Sequence, residues 1–330
     1  MQRRNGSDAM QQLKLGKPNL DVFAETLLSL AEQDPNILVV TGDSRGSAKL
    51  LSFAEKLPEQ LVEVGIAEQN LIGVSAGLAS SGKKVFAVSP ASFSTARALE
   101  QIKNDVAYSD NPVKLVGISA GVSYGALGST HHSTHDFAVL QAIHNIDIVA
   151  PADNHETRRA IQAAVNYPKP LYLRFGKRAV YDLHDPAAEF EVGRAIPLAS
   201  GCDITFIGTG ETVAIAWLAR ELLEARGISC GVISMHTLKP LDKEAVLEAG
   251  RHSKALVTVE EHSIHGGLGS LCATLLMQAG VFVPIRIVGI PDEETVTGSQ
   301  PEILSHYGIS PQGLVDTGVE LLQATKGSRP

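Results

Sequence analysis

"VEVGIAEQNLIGVSAGLA", residues 62–79, is the stretch on which the fold turns. A strand-like start runs into a segment rich in Gly, Ala and Ser, the composition of a tightly packed helix. One carboxylate, Glu68, stands near the junction. A first-turn Glu favours the helix dipole, and that is one reading of it. The neighbours Gly65, Ile66, Ala67, Gly73 and Gly77 support another, because they imply a crowded, dry setting. A buried carboxylate costs several kcal/mol unless it meets a partner. On this second reading Glu68 faces a ligand or a subunit interface.

Working outward, "LDVFAETLLSLAEQ" (20–33) puts Phe23, Leu27, Leu28 and Leu30 near helical spacing, and "NILVV" (36–40) follows as a short β-branched run. "KVFAV" (84–88), "VKLVGIS" (113–119), "IDIVAP" (146–151) and "PLYLRF" (170–175) repeat the apolar run, with helix-length segments at 94–109 and 154–166 between them. A second series reads "DITFIGTG" (203–210), a helix over 211–226, "SCGVISM" (229–235), a short helix after Pro240, "ALVTVEE" (255–261), a helix over 268–279, and "VPIRIVGI" (283–290). Strands apolar on both faces that alternate with helices predict parallel sheets covered by helices. The fold class is α/β, with two doubly wound, mostly parallel-sheet domains. The stretch 176–200 lacks clear periodicity and contains Pro186 and Pro197, which places the boundary there. The expected organisation is a flexible tail over 1–17, a first domain over 18–180, a linker over 181–200 and a second domain over 201–330.

Bulk properties narrow the function. The 330 residues carry a net charge of -8, so there is no broad basic field for nucleic acid. No run of about 18 apolar residues appears, which argues against a membrane span. Three widely spaced cysteines, Cys202, Cys230 and Cys272, suggest reduced thiols in the cytoplasm.

In doubly wound sheets, ligands sit in crevices beyond the strand C-termini. Three such ends carry polar loops: "TGDSRGS" (41–47), "SPASFST" (89–95) and "SAGVSYGALGSTHHSTHD" (119–136). The last holds His131, His132 and His135, three of the chain's 11 histidines. His131 and His135 have the spacing of a metal pair on a helix. Gly128, Ser129 and Thr130 indicate a loop, however, and no Cys lies near, so no metal ligand is assigned. A solvated loop with Asp136 as helix N-cap is a plain alternative to a catalytic His131 or His132. "TGDSRGS" lacks the P-loop lysine. "HGGLGS" (265–270) opens a helix that could hold an anion, though such glycines more often allow close packing.

At this point the residues resemble a known family. "VGIAEQNLIGVSAGLASSGKKVFAVSPASF" (64–93), "AGVSYGALGSTHHSTHD" (120–136), "VAPADNHET" (149–157), "LYLRFGKR" (171–178), "VEEHSIHGGLGS" (259–270) and "TGSQPEILSHYGI" (297–309) are similar to the C-terminal half of transketolases. They are also similar to 1-deoxyxylulose-5-phosphate synthases. The resemblance implies a pyrimidine-binding domain of a thiamine-diphosphate enzyme, followed by a transketolase C-terminal domain. Glu68 would then bind the ring nitrogen of the cofactor's aminopyrimidine and share a proton with it. Phe93 would stack on that ring, and His131 would hydrogen-bond donor hydroxyls. Ser47, His132 and Arg174 would complete the substrate contacts, Ser47 and Arg174 at a phosphate.

The family's Gly-Asp-Gly motif with a downstream Asn, which holds the diphosphate and Mg2+, has no match here. The resemblance therefore implies one subunit of a split transketolase, with a partner chain supplying that motif in an assembly of two copies of each. The implied reaction moves a two-carbon ketol unit from a ketose to an aldose. Two alternatives remain open: a deoxyxylulose-synthase-like or acyloin-forming subunit using a 2-oxo acid donor, and a non-catalytic binding subunit. The chain departs from the family pattern at Leu20, Pro90, Ser119 and Leu127, where transketolases carry an arginine, an aromatic, a histidine and an aspartate. Those departures make ordinary sugar phosphates the less expected substrates.

Overall fold

A computed structural model describes residues 13–327, with side chains described as far as residue 324. The first half of the chain contributes β1 (Leu15–Pro18), β2 (Ile37–Thr41), β3 (Leu61–Glu63), β4 (Lys84–Pro90), β5 (Lys114–Ile118), β6 (Asp147–Val149), β7 (Leu171–Arg174) and β8 (Ala179–Tyr181). The second half contributes β9 (Ile196–Ala199), β10 (Ile204–Gly208), β11 (Cys230–Ser234), β12 (Thr237–Lys239), β13 (Ala255–Ser263) and β14 (Ile285–Ile290). One sheet has the order β12-β6-β7-β5-β4-β2-β3 and another the order β14-β13-β10-β11-β9. Within them only β12 and β9 run antiparallel to their neighbours. The fold class expected from the alternating pattern is the one observed.

β2, β5, β10 and β11 are buried along their whole length, as central parallel strands covered by helices must be. The two sheets share one apolar cluster. Val40, Leu71 and Leu115 lie in it with Ile207, Ile233 and Leu256. Each such aliphatic side chain contributes about 1.5–3 kcal/mol on leaving water, so this shared core fixes the halves against each other.

Several expectations are corrected. Of the tail, residues 1–12 lie outside the described residues, but Leu15–Pro18 is β1 and pairs antiparallel with β8. The expected linker ends in β9, an edge strand of the second sheet. The helix expected over 94–109 is broken: Ala91–Arg97 stops at Ala98 (φ -109°, ψ 20°), and Ile102–Tyr108 winds as a wider π-type helix. Asp136 is not a cap. It is the first residue of the helix Asp136–Gln141, and its carboxylate is engaged elsewhere. The helix Leu268–Gln278 has no N-terminal anion site, because the buried Glu260 carboxylate accepts from Leu268 N at 2.7 Å and Gly269 N at 2.8 Å. The glycines of "HGGLGS" serve that close approach.

Candidate active site

The side chains of interest follow the C-terminal ends of parallel strands in the first sheet. Glu68 follows β3, Phe93 follows β4, Tyr124 and His131 follow β5, and Lys177 follows β7. The helix Glu68–Ser80 begins at Glu68 itself, and Ala67 before it offers no side-chain cap. The Glu68 carboxyl therefore stands beside the unpaired N–H groups of the first turn, where negative charge is favoured. It is 9% exposed.

Arg97 Nη1 donates to Glu68 Oε1 at 2.8 Å. Phe93 sits four residues before Arg97 in one helix, the spacing that puts two side chains on one face. The guanidinium carbon lies 4.2 Å from the Phe93 ring centroid. The far side of this pair meets His131, whose ring is 5.3 Å from Phe93 at 67°. Tyr124 is 5.4 Å from His131 at 75°, and Lys177 Nζ lies 4.6 Å from the Tyr124 ring. Thr130 Oγ1 engages His131 Nδ1 at 3.0 Å. Glu68, Arg97, Phe93, His131, Tyr124 and Lys177 thus form one row of contacts that runs from an acid to a base across two aromatic faces.

Three of the expected site residues meet in this row: Glu68, Phe93 and His131. Three do not. His132 is 4% exposed and its Nε2 lies 3.0 Å from the Gly125 carbonyl. Burial lowers its pKa, which favours a neutral ring bracing the loop from inside. Arg174 is 8% exposed and its Nε donates to Asp136 Oδ2 at 2.7 Å. Its Nη2 donates to the Glu261 and Ser133 carbonyls at 2.9 and 3.2 Å. Burial by itself would raise the Asp136 carboxyl, but the Arg174 charge and its hydrogen bond, with another from Tyr172, hold it below the usual range. Arg174 therefore spends its donors on Asp136 and on two interior carbonyls in this chain. Ser47 is exposed, and its hydroxyl donates to the Ser44 carbonyl at 3.2 Å, outside the row.

Arg97, Tyr124 and Lys177 do not stand out in the sequence. The i, i+4 spacing of Phe93 and Arg97 is the one available signal. Of the departures from the family pattern, Leu20 is buried in a core cluster with Phe23 and Leu27, so it removes no group from the row. Ser119 is fully buried with φ +55°, and its Oγ has no hydrogen-bond partner among the described residues. A non-glycine residue in that conformation costs about 1–3 kcal/mol, and such strain concentrates at functional sites. Leu127 is 54% exposed in the His131 loop.

Residues 18–182 match the transketolase pyrimidine binding domain, and residues 193–314 match the transketolase C-terminal domain. The chain belongs to the transketolase family. One subunit of an apulose-4-phosphate transketolase from Phocaeicola vulgatus is 48% identical over 91% of this chain and 96% of its own length. A subunit of a 6-deoxy-6-sulfo-D-fructose transketolase from a Clostridium species is 33% identical over 92% and 94%. A solved structure described as a split gene transketolase, inactive beta4 tetramer, superposes with a TM-score of 0.86 at 34% identity, covering 93% of this chain and 99% of that one. Transketolases are transferases, and this transketolase-family chain carries two of the family's domains in a length that these relatives share. Among its described residues no helix is long and apolar enough to cross a membrane.

Proposed function

We propose that this chain is one subunit of a two-chain, thiamine-diphosphate-dependent transketolase and supplies the pyrimidine side of the cofactor site. The observation that carries the reading is the contiguity of Glu68, Phe93 and His131. A carboxyl at a helix start lies beside an aromatic face, and that face leads to a histidine. These residues fit an aminopyrimidine: Glu68 would hold the ring nitrogen and Phe93 the ring face. When bound, thiamine diphosphate supplies the carbanion chemistry that breaks and makes the carbon–carbon bond. This chain holds the proton at the Glu68 carboxyl and orients the donor. His131 has Nδ1 engaged by Thr130, which leaves Nε2 for a donor hydroxyl.

The diphosphate and Mg2+ are assigned to a partner chain. The sequence lacks the Gly-Asp-Gly…Asn motif, and among the described residues no group of three or more His, Cys, Asp or Glu side chains is arranged to hold a metal. Two relatives of matching length are named as subunits, one of them acting on apulose 4-phosphate and the other on 6-deoxy-6-sulfo-D-fructose. An assembly of two copies of each chain in the cytoplasm, where three unpaired thiols persist, completes the reading. The preferred donor is a ketose whose far end differs from that of an ordinary pentose phosphate.

The test is reconstitution. The purified chain alone should show no ketol transfer, and mixing with a partner carrying the missing motif should create it. Magnesium-dependent, high-affinity cofactor binding by this chain alone, measured by calorimetry, would count against the reading. Release of CO2 from a 2-oxo acid donor would move it to the synthase class.

A further inference from the structure

The structure assigns to Glu261, on β13 of the second half, the positioning of the loop that carries Tyr124 and His131. The inference rests on the proposed role of that loop in donor binding. The loop leaves β5 at Ser119 and returns at Asp136. Its base is pinched by reciprocal backbone bonds between Gly121 and Ser133, 3.1 and 2.7 Å long. Just above the pinch, Val122 N donates to Glu261 Oε1 at 2.7 Å. Both carboxyl oxygens of Glu261 also accept from Gln300 Nε2, at 2.9 and 3.0 Å. Gln300 opens the helix Gln300–His306 and lies 3.4 Å from Ser123 Oγ.

All three partners are short of water. Glu261 and Gln300 are each 5% exposed and Val122 is fully buried. A buried carboxylate bonded to an amide N–H is a strong, directional tether. The main chain adapts to it. Gly121 has φ +62°, and a Cβ there would lie 2.5 Å from the Glu261 carboxyl carbon. A Cβ on Gly125 would lie 2.7 Å from the Gly298 carbonyl oxygen, so the loop presses on the second half at a second point. Arg174 ties the Glu261 carbonyl to the Ser133 carbonyl, closing the clamp from below. None of these residues belongs to the row of contacts. Glu261 acts through the loop it holds.

The experiment uses the assembled two-chain enzyme. Glu261→Ala should raise the donor KM at least tenfold while the cofactor Kd, set by Glu68 and Phe93 outside the loop, changes less than twofold. Glu261→Gln keeps an acceptor for Val122 and should recover the KM to within about threefold. In a His131→Ala background, Glu261→Ala should add less than twofold. Hydrogen exchange of peptides spanning 119–131 in the full chain should accelerate in Glu261→Ala. Should that variant fail to assemble, Gln300→Ala, which leaves the carboxylate in place, carries the same measurements.

Unchanged exchange in the loop overturns the inference, as does a Glu261→Ala effect that multiplies in full onto His131→Ala. Failure of the functional reading looks different: His131→Ala would itself leave the donor KM untouched.

Discussion

The Arg97 guanidinium bridges Glu68 and Phe93, one nitrogen 2.8 Å from the carboxyl oxygen and its carbon 4.2 Å from the ring centroid. An aminopyrimidine held by the same acid and the same ring needs both of those surfaces. On the proposed function, Arg97 therefore swings aside when the cofactor is seated. The Arg97 side chain is 51% exposed and that of Glu68 only 10%, so the guanidinium can return to water while the ring nitrogen takes its place at the buried carboxyl. Arg97→Leu should tighten cofactor binding in the assembled enzyme by about two- to fivefold. Isothermal calorimetry checks it, and weaker binding would mean that Arg97 helps to hold the cofactor.

Glu68→Gln should leave the thermal midpoint of the chain almost unchanged, because the side chain keeps its shape and an amide oxygen still accepts from the half-exposed Arg97. It should slow exchange of the cofactor's acidic ring proton by about 10²–10⁴, the usual cost of losing a positioned proton carrier. NMR of quenched samples reads this rate. A wild-type exchange rate would reduce Glu68 to a favourable charge at a helix start.

The substrate prediction follows from Ser119, Leu127 and Lys177. The first two offer less charge than the family's histidine and aspartate, whereas Lys177 supplies a cation at the open end of the row. Each lost charge-assisted hydrogen bond forfeits roughly 1.5–3 kcal/mol. Xylulose 5-phosphate should thus be a poor donor against ketoses bearing other far-end groups, by about tenfold or more in kcat/KM. Lys177→Met should depress anionic donors and spare neutral ones. Direct competition between donors measures both effects, and an easy win for the pentose phosphate would refute the ranking.

A fourth prediction concerns stability. His184 Nδ1 lies 2.9 Å from Asp153 Oδ2, and its Nε2 lies 3.2 Å from Glu156 Oε1, with all three side chains buried. Burial alone would lower the imidazole pKa, but the hydrogen bonds and charges of the two carboxylates push it up to about 10. A raised folded-state pKa contributes stability that is complete below the unfolded value, about 6.5, and is lost as pH rises through the folded one. His184→Asn should therefore cost most near pH 6, and its deficit should shrink steadily toward pH 10. Urea midpoints across that range report it. A deficit independent of pH would mean that packing, not charge, holds His184.

The apolar runs made the central strands legible, since a fully buried parallel strand carries little but β-branched and aliphatic residues. β10, β11 and β13 were readable for that reason. β1, β8, β9 and β12 were not, because strands of three or four residues at a sheet edge owe their existence to pairing partners far away in the chain. The site divided along the same line. Glu68 stood out because an acid beside small residues conflicts with its local surroundings. The pairing of Arg174 was not legible, because a lone arginine at a strand end reads the same whether it meets a ligand or an interior Asp136. Glu261 gave no local signal at all, since its partner Val122 N lies 139 positions away.

β12 belongs by sequence to the second half and by hydrogen bonding to the first sheet, where Thr237 and Lys239 register against Val149 and Ile148. During synthesis the ribosome delivers β6 long before β12, so a bare sheet edge awaits its cover until residue 239 has emerged. The same holds for any fragment cut within the boundary region. A piece ending near residue 190 leaves β6 open to pairing with its own copies, and a piece starting near 200 leaves β12 with no neighbour. The two halves of this chain are thus poorly suited to being made as separate pieces.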